Sequence, residues 1–284
     1  MTDVAATLLA ETMARIVRDH QPPDPWQPGA RADDTATPAA EAVGVALAEI
    51  GWPGLADEDI DASVVALAAV ELGRGLVSLS HVDALLGGSP VVDGLVRHGR
   101  VHGRAAALRP GDGLREVEIL ALAPAAYGDA SAVSVLTGQR RGDDVPAAAA
   151  ARRLAAWRAA SIGYLAGLAG AAFEACLAHV RSRQAFGTTL DAQPTVQSRL
   201  ADAATALDGV RLLAEREHSW AALSYAAAAA TEVTAACHQL TGALGYTLEY
   251  PLQRRSRRAR AMRSWAEWAA DACTTEERHQ PVDQ

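Results

Sequence analysis

Arg183-Gln184-Ala185-Phe186-Gly187-Thr188-Thr189-Leu190 stands between two long alanine-rich segments of helical periodicity. Upstream, over roughly residues 146–182, Leu154, Trp157, Ser161, Leu165, Leu168, Ala172, Cys176 and Val180 recur at the spacing of one buried helix face. Downstream, Val196, Leu200, Ala203, Leu207, Val210 and Leu213 step by three or four. Gly187 ends the first pattern and Pro194 opens the second. The stretch therefore predicts a polar, arginine-bearing turn between two packed helices.

Working outward, the C-terminal part, 146–284, reads as a four-helix bundle with helices near 147–182, 195–222, 223–241 and 259–272, joined by short turns as antiparallel neighbours require. Its last residues, from Thr274, are polar and predict a frayed tail. Residues 1–90 form an N-terminal helical unit. Its helices are expected over 4–20, 40–50 and Asp61–Gly73, with a proline-rich irregular connection over 21–38 and a turn at Gly51-Trp52-Pro53-Gly54-Leu55. Between 91 and 145 glycine and proline recur every few residues around short β-like runs at 117–122 and 132–136, which predicts a small sheet of three to five strands. The fold class is mainly α with a reduced middle β region.

Composition narrows the chemistry. A formal charge of −8 and a pI near 5.5 argue against general nucleic-acid binding. All 26 basic residues are arginine, which removes Schiff-base lysines and a Walker-type phosphate lysine. Cys176, Cys237 and Cys273 lie far apart without a C-x-x-C pair, so they read as reduced core thiols and not as a disulfide framework or zinc site. No signal-peptide pattern opens the chain, and no uninterrupted apolar run reaches the ~18 residues that span a bilayer, so a cytoplasmic protein without membrane contact is expected.

Two segments of the bundle resemble the acyl-CoA dehydrogenase family. Arg183 to Leu190, followed by Val196-Gln197-Ser198-Arg199-Leu200-Ala201-Asp202, is similar to the family's R-x-x-F-G-x-x-L and Q-x-x-L-A-D signature. Gln239-Leu240-Thr241-Gly242-Ala243-Leu244-Gly245-Tyr246, running on to Tyr250-Pro251 and Arg254, is similar to its Q-x-x-G-G-x-G-[YF] motif with the Tyr-Pro pair that follows. Leu47 to Leu55 and Glu71-Leu72-Gly73-Arg74 resemble its N-terminal domain. The resemblance implies an N-terminal helical domain, a middle β domain, a C-terminal four-helix bundle, and FAD as cofactor. It further implies that Arg183, Phe186, Gln239, Gly242 and Ala243 contact the ADP half of an FAD held by a neighbouring subunit. Such chemistry needs an arginine fork and backbone N–H groups that glycine brings close. Ala243 replaces a family glycine, which is harmless unless the backbone there requires a positive φ.

The family's other half is missing. Its enzymes remove the α-proton of an acyl-CoA with a glutamate placed fifteen residues beyond the Tyr-Pro proline, or alternatively on the long helix before R-x-x-F-G. By count these positions are Ala266 and Trp157, and no catalytic residue is assigned to this chain. Glu267 stands one residue late, about 100° around a helix. It reads as a first-turn acid at a helix start or as a displaced base. The middle region, about 55 residues, is half the family's usual size and lacks its flavin-contacting segment. A chain that keeps the residues lent to a neighbour and loses those used at home resembles the short accessory subunit of bacterial α2β2 heterotetrameric acyl-CoA dehydrogenases. A full-length partner would hold the acyl-CoA, of the steroid side-chain kind by analogy, and supply the base. The alternatives are a non-catalytic homo-oligomeric scaffold and an active homo-oligomer using Glu267.

Other candidates carry less. His98 and His102 have helical spacing, but Gly99 and Gly103 oppose a helix and no third ligand follows, so no metal site is assigned. The run Arg254, Arg255, Arg257, Arg258, Arg260, Arg263 reads as a subunit-contact or solvated face. Ser131 and Ser134 lack a G-x-S-x-G frame.

Overall fold

The computed structural model describes residues 2–20, 38–58, 60–97, 103–124, 133–185, 187–247, 250 and 252–275. Helix α1 (Thr2–His20) and α2 (Pro38–Glu49) precede a 3₁₀ turn over Trp52–Asp57. Helix α3 (Ala62–Arg74) starts where the Asp61 carboxylate accepts the Ser63 N–H at 2.9 Å. The short α4 (Ser80–Asp83) leads into the β region. The connection at 21–37 and the histidines at 98 and 102 lie outside the described residues.

Five strands follow: β1 (Ser89–Val92), β2 (Leu95–Arg97), β3 (Gly103–Arg109), β4 (Gly113–Pro124) and β5 (Val133–Asp144). They close into a barrel of order β1-β2-β5-β4-β3. Val91, Val96, Ala105, Val117 and Ile119 fill it. The run at 117–122 is the middle of β4 and residues 133–136 open β5; both strands extend further because cross-strand pairing continues past the apolar stretch, as at Arg115↔Asp144.

Helix α5 (Ala147–Ser182) then spans the molecule, followed by the two-residue strands β6 (Gln184–Ala185) and β7 (Thr188–Thr189) and by α6 (Pro194–Arg216), α7 (Trp220–Thr241) and α8 (Leu252–Thr274). Helices α5 and α7 run the same way. Arg158 Nε of α5 donates to His218 O at the start of α7, and Tyr250 OH, just before α8, donates to Ala175 O near the end of α5. The α3–α5 crossing is backbone against backbone. A Cβ at Gly163 would sit 1.8 Å from Ala66 O, and one at Gly167 1.8 Å from Val70 O. These glycines let two helices approach more closely than any side chain allows.

Three boundaries differ from the sequence reading. Helix α6 stops at Arg216 and α7 begins at Trp220, because the Ser219 hydroxyl caps the Ala222 N–H at 3.2 Å. Helix α8 begins at Leu252, not near 259, because the arginine run is helical. Helix α5 is long and apolar enough by length and composition to cross a bilayer, against the expectation that no such stretch exists, and 72% of that window is buried inside the molecule. Alanine and glycine between its larger side chains make it apolar all round, as suits the central helix of a bundle.

Candidate functional site

At one end of the bundle α5 terminates on Arg183, whose extended backbone (φ −80°, ψ 125°) turns the chain out while its N–H still donates to His179 O. The β6–β7 hairpin follows, pairing Gln184 with Thr189 and Ala185 with Thr188 around Gly187 at φ +81°. Leu190 N–H donates to Arg183 O at 2.9 Å, and the Gln193 amide donates to Thr188 Oγ1 at 3.2 Å, so the hairpin is tied to the start of α6. The Arg183 side chain is exposed and makes no ion pair or hydrogen bond among the described residues. Phe186 lies outside the described residues.

Helix α7 ends at the same end of the bundle. Cys176 of α5 and Cys237 of α7, both buried free thiols, meet there, with Cys176 Sγ 4.0 Å from Cys237 O. Gln239, Gly242 and Ala243 are exposed. Gly242 adopts φ +60°, ψ −142°, a conformation that favours glycine, whereas Ala243 is not among the positive-φ residues, so alanine fits there without strain. In the 3₁₀ turn over Gly242–Tyr246, Gly242, Ala243 and Leu244 are exposed and Gly245 is buried, and the Gly242 N–H donates to His238 O. One bundle end thus gathers a guanidinium and a carboxamide without side-chain partners among the described residues, beside an exposed glycine turn whose first N–H is taken by His238 O, an arrangement suited to a phosphate-bearing ligand.

The interior positions are built differently. Trp157 is 1% exposed and its indole N–H donates to Asp83 Oδ1 at 3.0 Å. Asp83 and Arg97, 1% and 2% exposed, form a buried two-pronged ion pair. The Arg97 guanidinium lies 5.1 Å from the Trp157 ring centroid and 5.8 Å from that of Trp265. Burial pushes the Asp83 carboxyl up, while the Arg97 charge, its hydrogen bond and the Trp157 N–H pull against that. Ala266 is 2% exposed beside this cluster's Trp265. Neither interior position carries a carboxylate.

Glu267 faces away. Its side chain is 56% exposed and pairs with Arg263 Nε at 3.0 Å, one helical turn earlier. It sits well inside α8, not in a first turn, which corrects its reading as a dipole-favoured helix-start acid. The arginine run also divides. Arg255 donates to Gly73 O at 3.2 Å and Arg74 O at 2.8 Å, and the buried Arg258 donates to Val77 O at 3.1 Å and Tyr164 OH at 2.6 Å. Three residues apart on one helical face, these two arginines satisfy carbonyls at and beyond the end of α3, so they are structural rather than part of a contact surface. Two open clefts, about 500 and 540 Å³, share Gly87, Gly103 and Arg104 at the barrel and are lined by none of the bundle-end residues and by neither Asp83 nor Arg97.

Sequence reasoning named Arg183, Gln239, Gly242 and Ala243, which the structure places at one end of the bundle, and did not name the buried pair. The available signal was one charge at the edge of each apolar run: Asp83 in Val82-Asp83-Ala84-Leu85-Leu86, and Arg97 after Leu95-Val96.

Comparison with known proteins agrees with this layout. Residues 147–266 match the family described as acyl-CoA dehydrogenase, C-terminal domain. The mitochondrial short-chain specific acyl-CoA dehydrogenase of Bos taurus is 36% identical over 107 residues, 33% of this chain but 26% of that enzyme, so the match spans about a quarter of the relative. Over the whole fold, a variant of the Tcur3481–Tcur3483 steroid ACAD superposes with a TM-score of 0.71 at 17% identity, covering 94% of each chain. The ChsE4–ChsE5 complex of Mycobacterium tuberculosis superposes with a TM-score of 0.68 at 16% identity, again covering 94% of each chain. Residues 147–266 are thus similar to the acyl-CoA dehydrogenase C-terminal domain family, on a chain whose fold as a whole is that of the superposed structures.

Proposed function

We propose that this chain is a subunit of an FAD-dependent acyl-CoA dehydrogenase and lends contacts to the ADP half of an FAD whose reactive ring belongs to a full-length partner subunit, in an α2β2 assembly. Arg183, Phe186, Gln239, Gly242 and Ala243 make those contacts. The partner holds the acyl-CoA and carries the base, and this chain alone is inactive. The observation that carries the reading is the contrast between the two ends of the machinery. At the bundle end the Arg183 and Gln239 side chains are exposed with no partner among the described residues, while Trp157 donates to a buried Asp83 carboxylate already paired with Arg97, and neither position 157 nor position 266 carries a carboxylate.

The residues present fit the group. Arg183 offers a guanidinium fork with no competing partner among the described residues, Gly242 a backbone that a ligand can approach closely, and Gln239 an amide. When bound, the flavin supplies the hydride acceptor for α,β-desaturation of the thioester. The part of this chain is to fix the nucleotide end and exclude water from it. Two neighbours of the whole fold, a steroid ACAD of two named chains and the ChsE4–ChsE5 complex, support a heteromer and a bulky acyl group.

The test is expression alone and with a full-length relative. The lone chain is expected to be colourless and the complex to carry stoichiometric FAD. Arg183→Ala removes a charge-assisted hydrogen bond of about 1.5–3 kcal/mol, so the complex should lose FAD about 10- to 150-fold more readily. A lone chain that turns over an acyl-CoA, with activity lost in Glu267→Gln, refutes the proposal. A colourless homo-oligomer that takes no partner leaves scaffolding as the function.

A further inference from the structure

Beside the glycine turn, the imidazole of His238 is 6% exposed and stacks on the ring of Tyr246, with centroids 4.6 Å and planes 30° apart. Neither of its nitrogens has a hydrogen-bond partner among the described residues, and Nδ1 is fully buried. The ring occupies space that only glycine leaves free, since a Cβ at Gly245 would come within 3.2 Å of Nδ1 and 2.2 Å of Thr241 Oγ1. Burial, then the charge of Arg260, push the imidazole below its ordinary range and keep it neutral near pH 7. A hydrocarbon ring would give the same packing without stranding a buried polar nitrogen.

What the imidazole supports is exposed. Tyr246 is 71% accessible although its ring stacks on His238. It ends the same 3₁₀ turn that Gly242 begins. Four residues at about 2 Å rise place it about 8 Å along the turn from Gly242. A ribose bridges a comparable gap between a base and its diphosphate.

We propose that Tyr246, held flat by His238, is a stacking seat for the purine ring of an adenine nucleotide whose diphosphate lies against Arg183 and the Gly242–Ala243 turn. This rests on the reading of that bundle end as a nucleotide surface and adds base recognition to it. Tyr246 contacts the ligand, and His238 is a positioning residue.

The experiment titrates the full chain with ADP and, separately, with inorganic pyrophosphate, following the adenine protons by saturation-transfer NMR and affinities by calorimetry. Wild type is expected to prefer ADP about tenfold, within the range of base–aromatic stacking. Tyr246→Ala should abolish that preference and Tyr246→Phe keep it. His238→Ala should lose it and His238→Phe restore it, a selectivity that a merely structural histidine would not control. Arg183→Ala should weaken both ligands equally. Competition by FAD or by coenzyme A then identifies which adenine nucleotide uses the seat. Equal binding of ADP and pyrophosphate in wild type, with Arg183→Ala still weakening both, overturns the seat and leaves the nucleotide surface standing. Failure of both ligands to bind at millimolar concentration overturns the surface and the seat together.

Discussion

The Asp83–Arg97 pair offers the most direct test of the described interior. Asp83→Asn keeps the shape but leaves the Arg97 guanidinium charged between Trp157 and Trp265, 2% exposed and without a counter-ion of its own. Removing one partner of a buried pair costs about 3–5 kcal/mol, since the remaining charge stays desolvated. For 284 residues, about 2.1 cal/mol/K per residue gives an unfolding entropy of about 0.6 kcal/mol/K. A loss near 4 kcal/mol therefore lowers the melting midpoint by roughly 7 °C. The double variant Asp83→Leu, Arg97→Met removes both charges and should recover most of that loss, because well-packed apolar residues replace buried pairs at little or no cost. The assay is calorimetry of the full chain with urea titration as a second measure. An Asp83→Asn midpoint within about 1 °C of wild type, or a double variant worse than the single, would refute the reasoning.

Gly167→Ala tests the backbone contact between α3 and α5. Its Cβ would lie 1.8 Å from Val70 O, so the helices must part. The net loss should be about 2 kcal/mol after the gain in helix propensity, read as a lower urea midpoint with unchanged slope. His238 makes stability depend on pH. Its folded pKa lies below the ordinary value of 6.5, so below about pH 6.5 the unfolded chain takes up a proton that the folded chain resists. Stability contributed by this group is full above that pH and declines as pH falls. The melting midpoint of His238→Phe should fall less than that of wild type between pH 7 and pH 5.

Much of the fold was legible locally. Period-3.6 apolar faces marked α1, α3 and α5, and the Arg183 to Leu190 stretch announced its own turn, because glycine and proline act within a few residues. The helix ends that carry the proposed nucleotide contacts were legible for the same reason: Arg183 ends one helix and Gly242 ends another. Boundaries inside alanine-rich or arginine-rich segments were not. Alanine continues a helix without marking its end, and Ser219 caps only once α6 has stopped and α7 turns back. The arginine run looked like a surface because its acceptors, the carbonyls of Gly73, Arg74 and Val77, lie about 180 residues away in the chain.

By itself the sequence determined a helical chain with a small β insert, a helix-ending arginine, a glycine turn, and the absence of a glutamate at 157 and 266. Only the tertiary structure decided that both positions are buried, with Trp157 against a buried charged pair, that Glu267 points to solvent, and that Arg183 and Gly242 share one bundle end. Periodicity states which face of a helix avoids water. Which groups meet across the core depends on packing between distant segments, and a buried charge is tolerated only where that packing delivers its partner.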